Sequence, residues 1–366
     1  MYWADKKTMT NTHIDNHPPP YPPRIAYIDG LRGVAVLIIL LFHLDVAGLK
    51  GGFIGVDIFF VISGYLITQI IARDLKAENF SFAGFYARRI RRIFPALFTM
   101  LFAALVAAIL VLGPLDYAAF FKALRFTSAQ FSNILFSHQV DYFAVKHGTS
   151  PLLHTWSLGV EEQFYFVWPL LLYAAHRFLG ARKMAILLLL IMVASLGLSE
   201  YWVRNNALQA FYLLPSRAWE LAVGGIVALQ IIPPLRRPVY SDALAALGLI
   251  LIAVAVFCTN KESFPGFWAL LPCLGAGFIF YTAQTGTGRV HKILSFKPLT
   301  AVGLISYSLY LWHWPLIAFY KSYAGDALDI TAQMTLFAVS LIMAFLSYRF
   351  IEQPSAKWRL KPVFVI

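Results

Sequence analysis

A guanidinium and an imidazole share one apolar run near the N-terminus. Residues 27–45 begin Tyr-Ile-Asp-Gly-Leu-Arg-Gly and end Phe-His-Leu-Asp, with an unbroken apolar stretch between. The run predicts a membrane helix. Arg32 and His43 are eleven residues apart. At 100° per residue this is about 1100°, three turns plus about 20°, so both side chains point to one side, about 16 Å apart along the axis. Arginine at mid-membrane costs about 2.5–3.5 kcal/mol on insertion scales, so such groups face a protein interior or a wet cavity. Two readings stand. Either Arg32 snorkels to the interface and His43 is a satisfied interior histidine, or the pair forms part of a polar site.

Further polar groups interrupt later apolar runs: Asp57, Ser63, His154, Glu161, Glu162, Arg217, Glu220 and His313. Each has an ordinary structural explanation. Arg217 and Glu220, three apart, can pair on one helix face. Glu161 and Glu162 suit a helix N-terminus, where the dipole favours anions. His313, between two tryptophans and before Pro315, suits an aromatic belt. Asp57 and Ser63 suit backbone-bonded interior positions. Their similar depth on different spans instead predicts one polar cavity opening outward. A separate run carries Arg88, Arg89, Arg91 and Arg92 just ahead of an apolar segment. It is a topology signal or a phosphate clamp, because guanidinium forks match phosphate oxygens. The sequence has neither a Walker-type loop nor a dinucleotide fingerprint, so a nucleotide here would be held by basic side chains.

The elements that must position these groups are membrane helices. Of 366 residues, 59% are hydrophobic and 13% charged, outside the range of a soluble domain. The predicted fold is an all-α polytopic membrane protein. It has about ten transmembrane helices near 28–48, 53–72, 93–113, 157–176, 184–202, 209–231, 243–259, 266–284, 299–320 and 331–351. Loops on alternate sides divide the 30 Lys and Arg residues 22 to 8, which places both termini in the cytoplasm. The net charge of +12 therefore reads as a topology signal, with the lipid bilayer and no nucleic acid as partner. Cys258 and Cys273 form neither a disulfide framework nor a metal pattern, and no metal is expected. Residues 1–24 are polar and proline-rich, read as a disordered cytoplasmic tail without a cleavable signal. Residues 25–354 form the membrane domain and 355–366 a short cytoplasmic tail. The loop 114–156 is aromatic and amphipathic, an interfacial helix or a lid. No internal repeat is visible, which weighs against inverted-repeat transporters.

Six stretches carry a resemblance. They are Tyr27-Ile-Asp-Gly-Leu-Arg-Gly33 with His43; Gly51-Gly-Phe-Ile-Gly-Val-Asp-Ile-Phe-Phe-Val-Ile-Ser-Gly-Tyr-Leu66; Phe85-Tyr-Ala-Arg-Arg-Ile-Arg-Arg-Ile-Phe-Pro95; Leu153-His-Thr-Trp-Ser-Leu-Gly-Val-Glu-Glu-Gln-Phe-Tyr165; Ser306-Tyr-Ser-Leu-Tyr-Leu-Trp-His-Trp-Pro315; and Tyr348-Arg-Phe-Ile-Glu-Gln-Pro354. In matching order over about residues 25–355, they resemble membrane acyltransferase family 3, in its O-antigen acetylase-like branch. The resemblance implies a multi-pass enzyme of the bacterial inner membrane. Such an enzyme passes an acyl group, usually acetyl, from cytoplasmic acetyl-CoA to a cell-surface or lipid-linked glycan acceptor. It maps the family's Arg-x10-His motif onto Arg32 and His43. Its Arg-x-x-Arg motif falls best on Arg89 and Arg92, with Arg88 and Arg91 as the other register. Many relatives carry a C-terminal hydrolase-like domain. The sequence stops at Ile366, so transfer is expected either to be direct or to use a separate extracytoplasmic acyl-transfer protein. In the resulting scheme the arginines hold CoA phosphates. His43 acts as general base or is transiently acylated, as imidazole chemistry near neutral pH permits. The remaining polar groups orient it or bind sugar hydroxyls. The alternative is a proton-coupled transporter or glycan flippase, with the same histidines and carboxylates relaying protons.

Overall fold

A computed structural model describes residues 25–138, 150–259, 263–286 and 288–358. The two tail readings, for residues 1–24 and for most of 355–366, lie outside the described residues, as does the middle of the 114–156 loop. The described chain is helical and contains no strand. Each of the ten expected apolar segments holds a helix: α1 Ala26–His43, α2 Gly55–Lys76, α3 Phe82–Val111, α4 Trp156–Phe178, α5 Gly180–Asn205, α6 Leu214–Ala228, α7 Pro238–Cys258, α8 Leu270–Thr282, α9 Ser306–Ala324 and α10 Ile330–Ser347.

Seven of these, some extended by an adjoining turn, are long and apolar enough to cross a membrane. An eighth span arises if α9 is joined to the short helix Lys297–Leu304, across a 68° bend. The exceptions have evident causes. Helix α6 has 15 residues, about 22 Å against a hydrocarbon core of about 30 Å. Helix α4 is long enough but carries Glu161, Glu162 and Gln163 in its second turn. Exposed apolar side chains cover the outer faces of α3 and α5, among them Phe102, Leu110, Leu190 and Val193. So broad an apolar surface is suited to lipid. The chain is thus an all-helical, multi-pass membrane protein.

Two apolar cores flank the central pair α1–α2. One gathers Leu40, Phe60, Leu97, Trp168 and Ile317; the other gathers Ile28, Ile58, Trp219, Ile252 and Phe280. Both helices contribute to both cores, so their inward faces have fixed neighbours. Helix α6 lies against α2 at backbone distance. A Cβ on Gly64 would fall 1.8 Å from the Leu221 carbonyl oxygen, and one on Gly224 2.0 Å from that of Val61. Small residues at crossings permit this approach in membranes. Within the 114–156 loop, helix Pro114–Ser128 buries Phe120 and leaves Phe121 exposed.

Candidate functional site

Among the described residues, three groupings of polar side chains emerge in place of the single outward cavity expected from depth. The first is a chamber of about 100 Å3 between α1, α2, α3, α4 and α9. Arg32, Arg89 and Arg92 line it, opposite Glu161, Glu162, Ser63 and Tyr165. The Ser63 hydroxyl donates to Glu161 Oε1 at 2.7 Å, and the Tyr165 hydroxyl donates to Ser63 Oγ at 3.1 Å. The Arg89 guanidinium lies over the rings of Phe85 and Tyr165, 5.6 and 5.5 Å from their centroids. Arg32 is 3.9 Å from Asp29. Among the described residues, Arg89 and Arg92 are in no ion pair.

Helix pitch separates the two arginine registers. Arg89 and Arg92, three apart, share the face turned to the chamber. Arg88 points to Asp74, 3.5 Å away. Arg91 donates to the Ala87 carbonyl at 3.1 Å and also to the Trp358 carbonyl. Neither Arg88 nor Arg91 lines the chamber.

A second cavity, about 360 Å3, contains His43 and His154. Its walls are largely aromatic, including Phe42, Trp156, Phe211 and Trp314, and an Asp45–Lys321 pair at 2.7 Å stands on it. His43 Nδ1 and His313 Nε2 are 3.0 Å apart, and the His154 ring centroid lies 5.9 Å from that of His313. His43 also packs on Trp314, with centroids 4.5 Å apart. Arg32 and His43 thus occupy different chambers, on one side of α1, as their spacing requires.

Val56 and Tyr310 line both chambers. The Tyr310 hydroxyl donates to the His154 carbonyl at 2.8 Å and is 2.6 Å from Ser157 Oγ. Tyr310 and Val56 therefore stand between the two chambers. Tyr310 and Ser157 fall inside the quoted motifs but were not singled out as chemical groups. Tyr310 stands one turn before His313 on the same helix face, a spacing that could have flagged it.

The third grouping is sealed. Arg217 bridges Asp57 at 3.0 Å and Glu220 at 3.1 Å, all fully buried. Four aromatic rings surround its guanidinium: Phe60, Trp156, Phe211 and Phe264. Cys273 Sγ belongs to the same cluster, within 4.8 Å of the carboxylates. A guanidinium already lies between the carboxylates, so these residues form an ion-pair core joining α2 to α6. Asp57, Arg217 and Glu220 line neither chamber. Ser63, Glu161 and Glu162 belong with the arginines, not the histidines. Depth counted from span edges misplaced them: Glu161 is five residues into α4 and Ser63 eight into α2, about 8 and 12 Å, which reaches the arginine chamber.

Fold and site together define a class: a polytopic helical membrane protein with a buried basic chamber stacked on a histidine cavity. A more particular assignment follows from comparison. Residues 25–349 match the family model described as an acyltransferase domain, and the chain belongs to that family. The chain is 32% identical over 355 residues to "O-acetyltransferase OatA" of Staphylococcus aureus, covering 92% of this chain and 58% of that protein. It is 34% identical over 357 residues to "Peptidoglycan O-acetyltransferase OatA" of Listeria monocytogenes, covering 90% and 55%. It is 31% identical over 353 residues to "Putative peptidoglycan O-acetyltransferase YrhL" of Bacillus subtilis, covering 89% and 54%. The chain spans about half the length of these curated relatives. No solved structure matches it.

Proposed function

We propose that the chain is an integral membrane O-acyltransferase that moves an acetyl group from cytoplasmic acetyl-CoA to a hydroxyl of a cell-envelope glycan. The observation that carries this reading is the arginine chamber stacked on the histidine cavity along one side of α1, with Tyr310 and Val56 between them. In this reading ten helices cross the bacterial inner membrane and both termini are cytoplasmic. Arg32, Arg89 and Arg92 meet the CoA phosphates, where guanidinium forks give strong, directional bonds. Apolar walls at Phe59, Leu66 and Ile67 suit the pantetheine arm. The rise of about 16 Å from Arg32 to His43 is the reach that arm must cover. The partition at Tyr310 opens to let it pass.

His43 then serves the acceptor hydroxyl as general base. The aromatic walls of the outer cavity suit sugar rings, which present C–H faces to such surfaces, while their hydroxyls meet the imidazoles. The names of the relatives make peptidoglycan the first acceptor to test. The acetyl group reaches the glycan directly or through a separate extracytoplasmic acyl-transfer protein.

Membranes containing the full chain, supplied with labelled acetyl-CoA, should place label on envelope glycan in alkali-labile form. His43→Ala should abolish this. Labelling that continues at the normal rate in His43→Ala overturns the reading.

A further inference from the structure

His313 is fully buried in α9 and bonded on both sides of its ring. Its Nδ1 is 3.0 Å from the Leu309 carbonyl oxygen, one turn earlier. Its Nε2 is 3.0 Å from His43 Nδ1. For two neutral imidazoles, these two contacts assign the hydrogens. A carbonyl oxygen only accepts, so Nδ1 of His313 carries hydrogen. A neutral imidazole has one N–H and one lone pair, which leaves the lone pair of His313 on Nε2. The hydrogen in the second contact therefore belongs to Nδ1 of His43. By the same rule, the lone pair of His43 lies on Nε2.

Ring placement supports this chain of bonds. The two ring centroids are 5.2 Å apart and the planes differ by 19°. With 3.0 Å between the nitrogens, the difference is one imidazole width. Both nitrogens thus lie near the line joining the ring centres. An N–H points along that line on one side and a lone pair on the other, the favoured alignment. The orientation of His43 is further fixed by Trp314 against its face.

We infer that His313 is a positioning residue that holds His43 in the Nδ1–H tautomer, so that Nε2 of His43 is the nitrogen that takes the proton of the acceptor hydroxyl. The inference rests on the acyl-transfer reading of this site. As the acceptor oxygen bonds to the thioester carbonyl carbon, its proton passes to Nε2 of His43. The carbon–sulfur bond breaks and its electron pair leaves on sulfur. The proton then passes from Nε2 to the thiolate, giving a glycan acetyl ester and the free thiol of CoA. His313 exchanges no proton. It accepts the Nδ1–H bond throughout, more strongly while His43 is an imidazolium, as charge-assisted bonds are stronger. A second residue setting the first one's tautomer is a recurrent device in histidine catalysis.

Two substitutions separate this role from mere packing. In His313→Asn the amide nitrogen reaches only as far as Nδ1 did, keeping the bond to Leu309 and offering His43 nothing. In His313→Gln the amide oxygen reaches as far as Nε2 did and accepts from His43. Transfer is read as the rate of ester-bound acetate accumulation in the envelope of cells carrying only the variant. Tautomers are read by 15N NMR of the full chain, histidine-labelled in nanodiscs, with the His43 signal assigned by its loss in His43→Gln. In the unsubstituted protein the proton of His43 is expected on Nδ1 and that of His313 on Nδ1. His313→Asn should slow transfer by about 10²-fold or more and move the His43 proton onto Nε2, with acetyl-CoA still raising the melting temperature. His313→Gln should restore transfer to within about tenfold and keep the Nδ1–H signal. The inference is overturned if His43 carries its proton on Nε2, if His313 carries two, or if the two variants transfer equally. Full transfer by His43→Gln, or no thermal response to acetyl-CoA in the unsubstituted protein, would instead refute the acyl-transfer reading itself.

Discussion

Replacing Tyr310 with Phe removes a single oxygen from the wall between the two chambers and leaves the ring in place. That oxygen is 2.6 Å from Ser157 Oγ and 2.8 Å from the His154 carbonyl. A neutral hydrogen bond contributes about 0.5–1.5 kcal/mol net, so two amount to about 1–3 kcal/mol. Ser157 keeps an alternative, because its hydroxyl is already 3.4 Å from the His154 carbonyl oxygen. The lower part of the range, about 1–2 kcal/mol, therefore applies, a factor of about 5–30 in an equilibrium. If the wall must open for the thioester to reach His43, Tyr310→Phe opens it more often by that factor. In purified protein without glycan, water is the acyl acceptor. Release of CoA thiol from acetyl-CoA, followed with a thiol reagent, should rise by up to that factor, while the melting temperature falls. A lower melting temperature with thiol release at or below the unsubstituted rate would show that the wall is no barrier to transfer.

The other expectations concern the remaining groupings. Arg89→Ala and Arg92→Ala should each weaken acetyl-CoA binding by about 1.5–3 kcal/mol, the range for a bond to a charged group. Arg88→Ala and Arg91→Ala, whose side chains turn to Asp74 and to main-chain carbonyls, should leave calorimetric affinity within about twofold. Arg217→Leu leaves two buried carboxylates without their cation and should cost about 3–5 kcal/mol, read as thermal unfolding in detergent. The folded fraction should bind acetyl-CoA normally, since Arg217 lines neither chamber. Gly64→Ala sets a methyl group 1.8 Å from the Leu221 carbonyl oxygen and should destabilise the protein by about 1–3 kcal/mol through forced separation of α2 and α6, again read as thermal unfolding.

What could be read in the sequence was what depends on one helix at a time. The Arg32–His43 alignment follows from the pitch of α1 alone; the pitch of α3 pairs Arg89 with Arg92 and Arg88 with Arg91, and only the neighbouring helices show which pair faces the chamber. The ten helical segments follow from apolar run length. Sorting of polar groups between chambers was not readable, because it depends on which helices adjoin. Asp57 meets Arg217 across 160 residues, and His43 meets His313 across 270. Depth along a span is a weak substitute for adjacency, and it put Glu161 and Ser63 with the wrong partners. Tyr310 was hidden differently. A phenol in a membrane helix is commonplace, and only its two bonded neighbours make it a partition.

On the proposed function, the arrangement bears on a conflict that any acyl carrier through a membrane must meet. A continuous polar channel wide enough for a thioester arm would also let protons and water pass. Here the basic groups and the imidazoles line separate chambers that share Val56 and Tyr310 among the described residues, and the Tyr310 hydroxyl bridges α9 to the start of α4. The carboxylate–arginine cluster that could have extended a polar path instead seals α2 against α6, with aromatic rings around its guanidinium. A barrier held by two neutral hydrogen bonds can open thermally within the microsecond-to-millisecond range of helix and side-chain rearrangement. That is compatible with ordinary turnover of 1–10³ per second. A barrier held by the buried ion pairs, at about 3–5 kcal/mol for each broken pair, would open far less often. On the proposed acyl transfer, this division between strong and weak contacts puts the moving part at Tyr310 and the fixed part at Arg217.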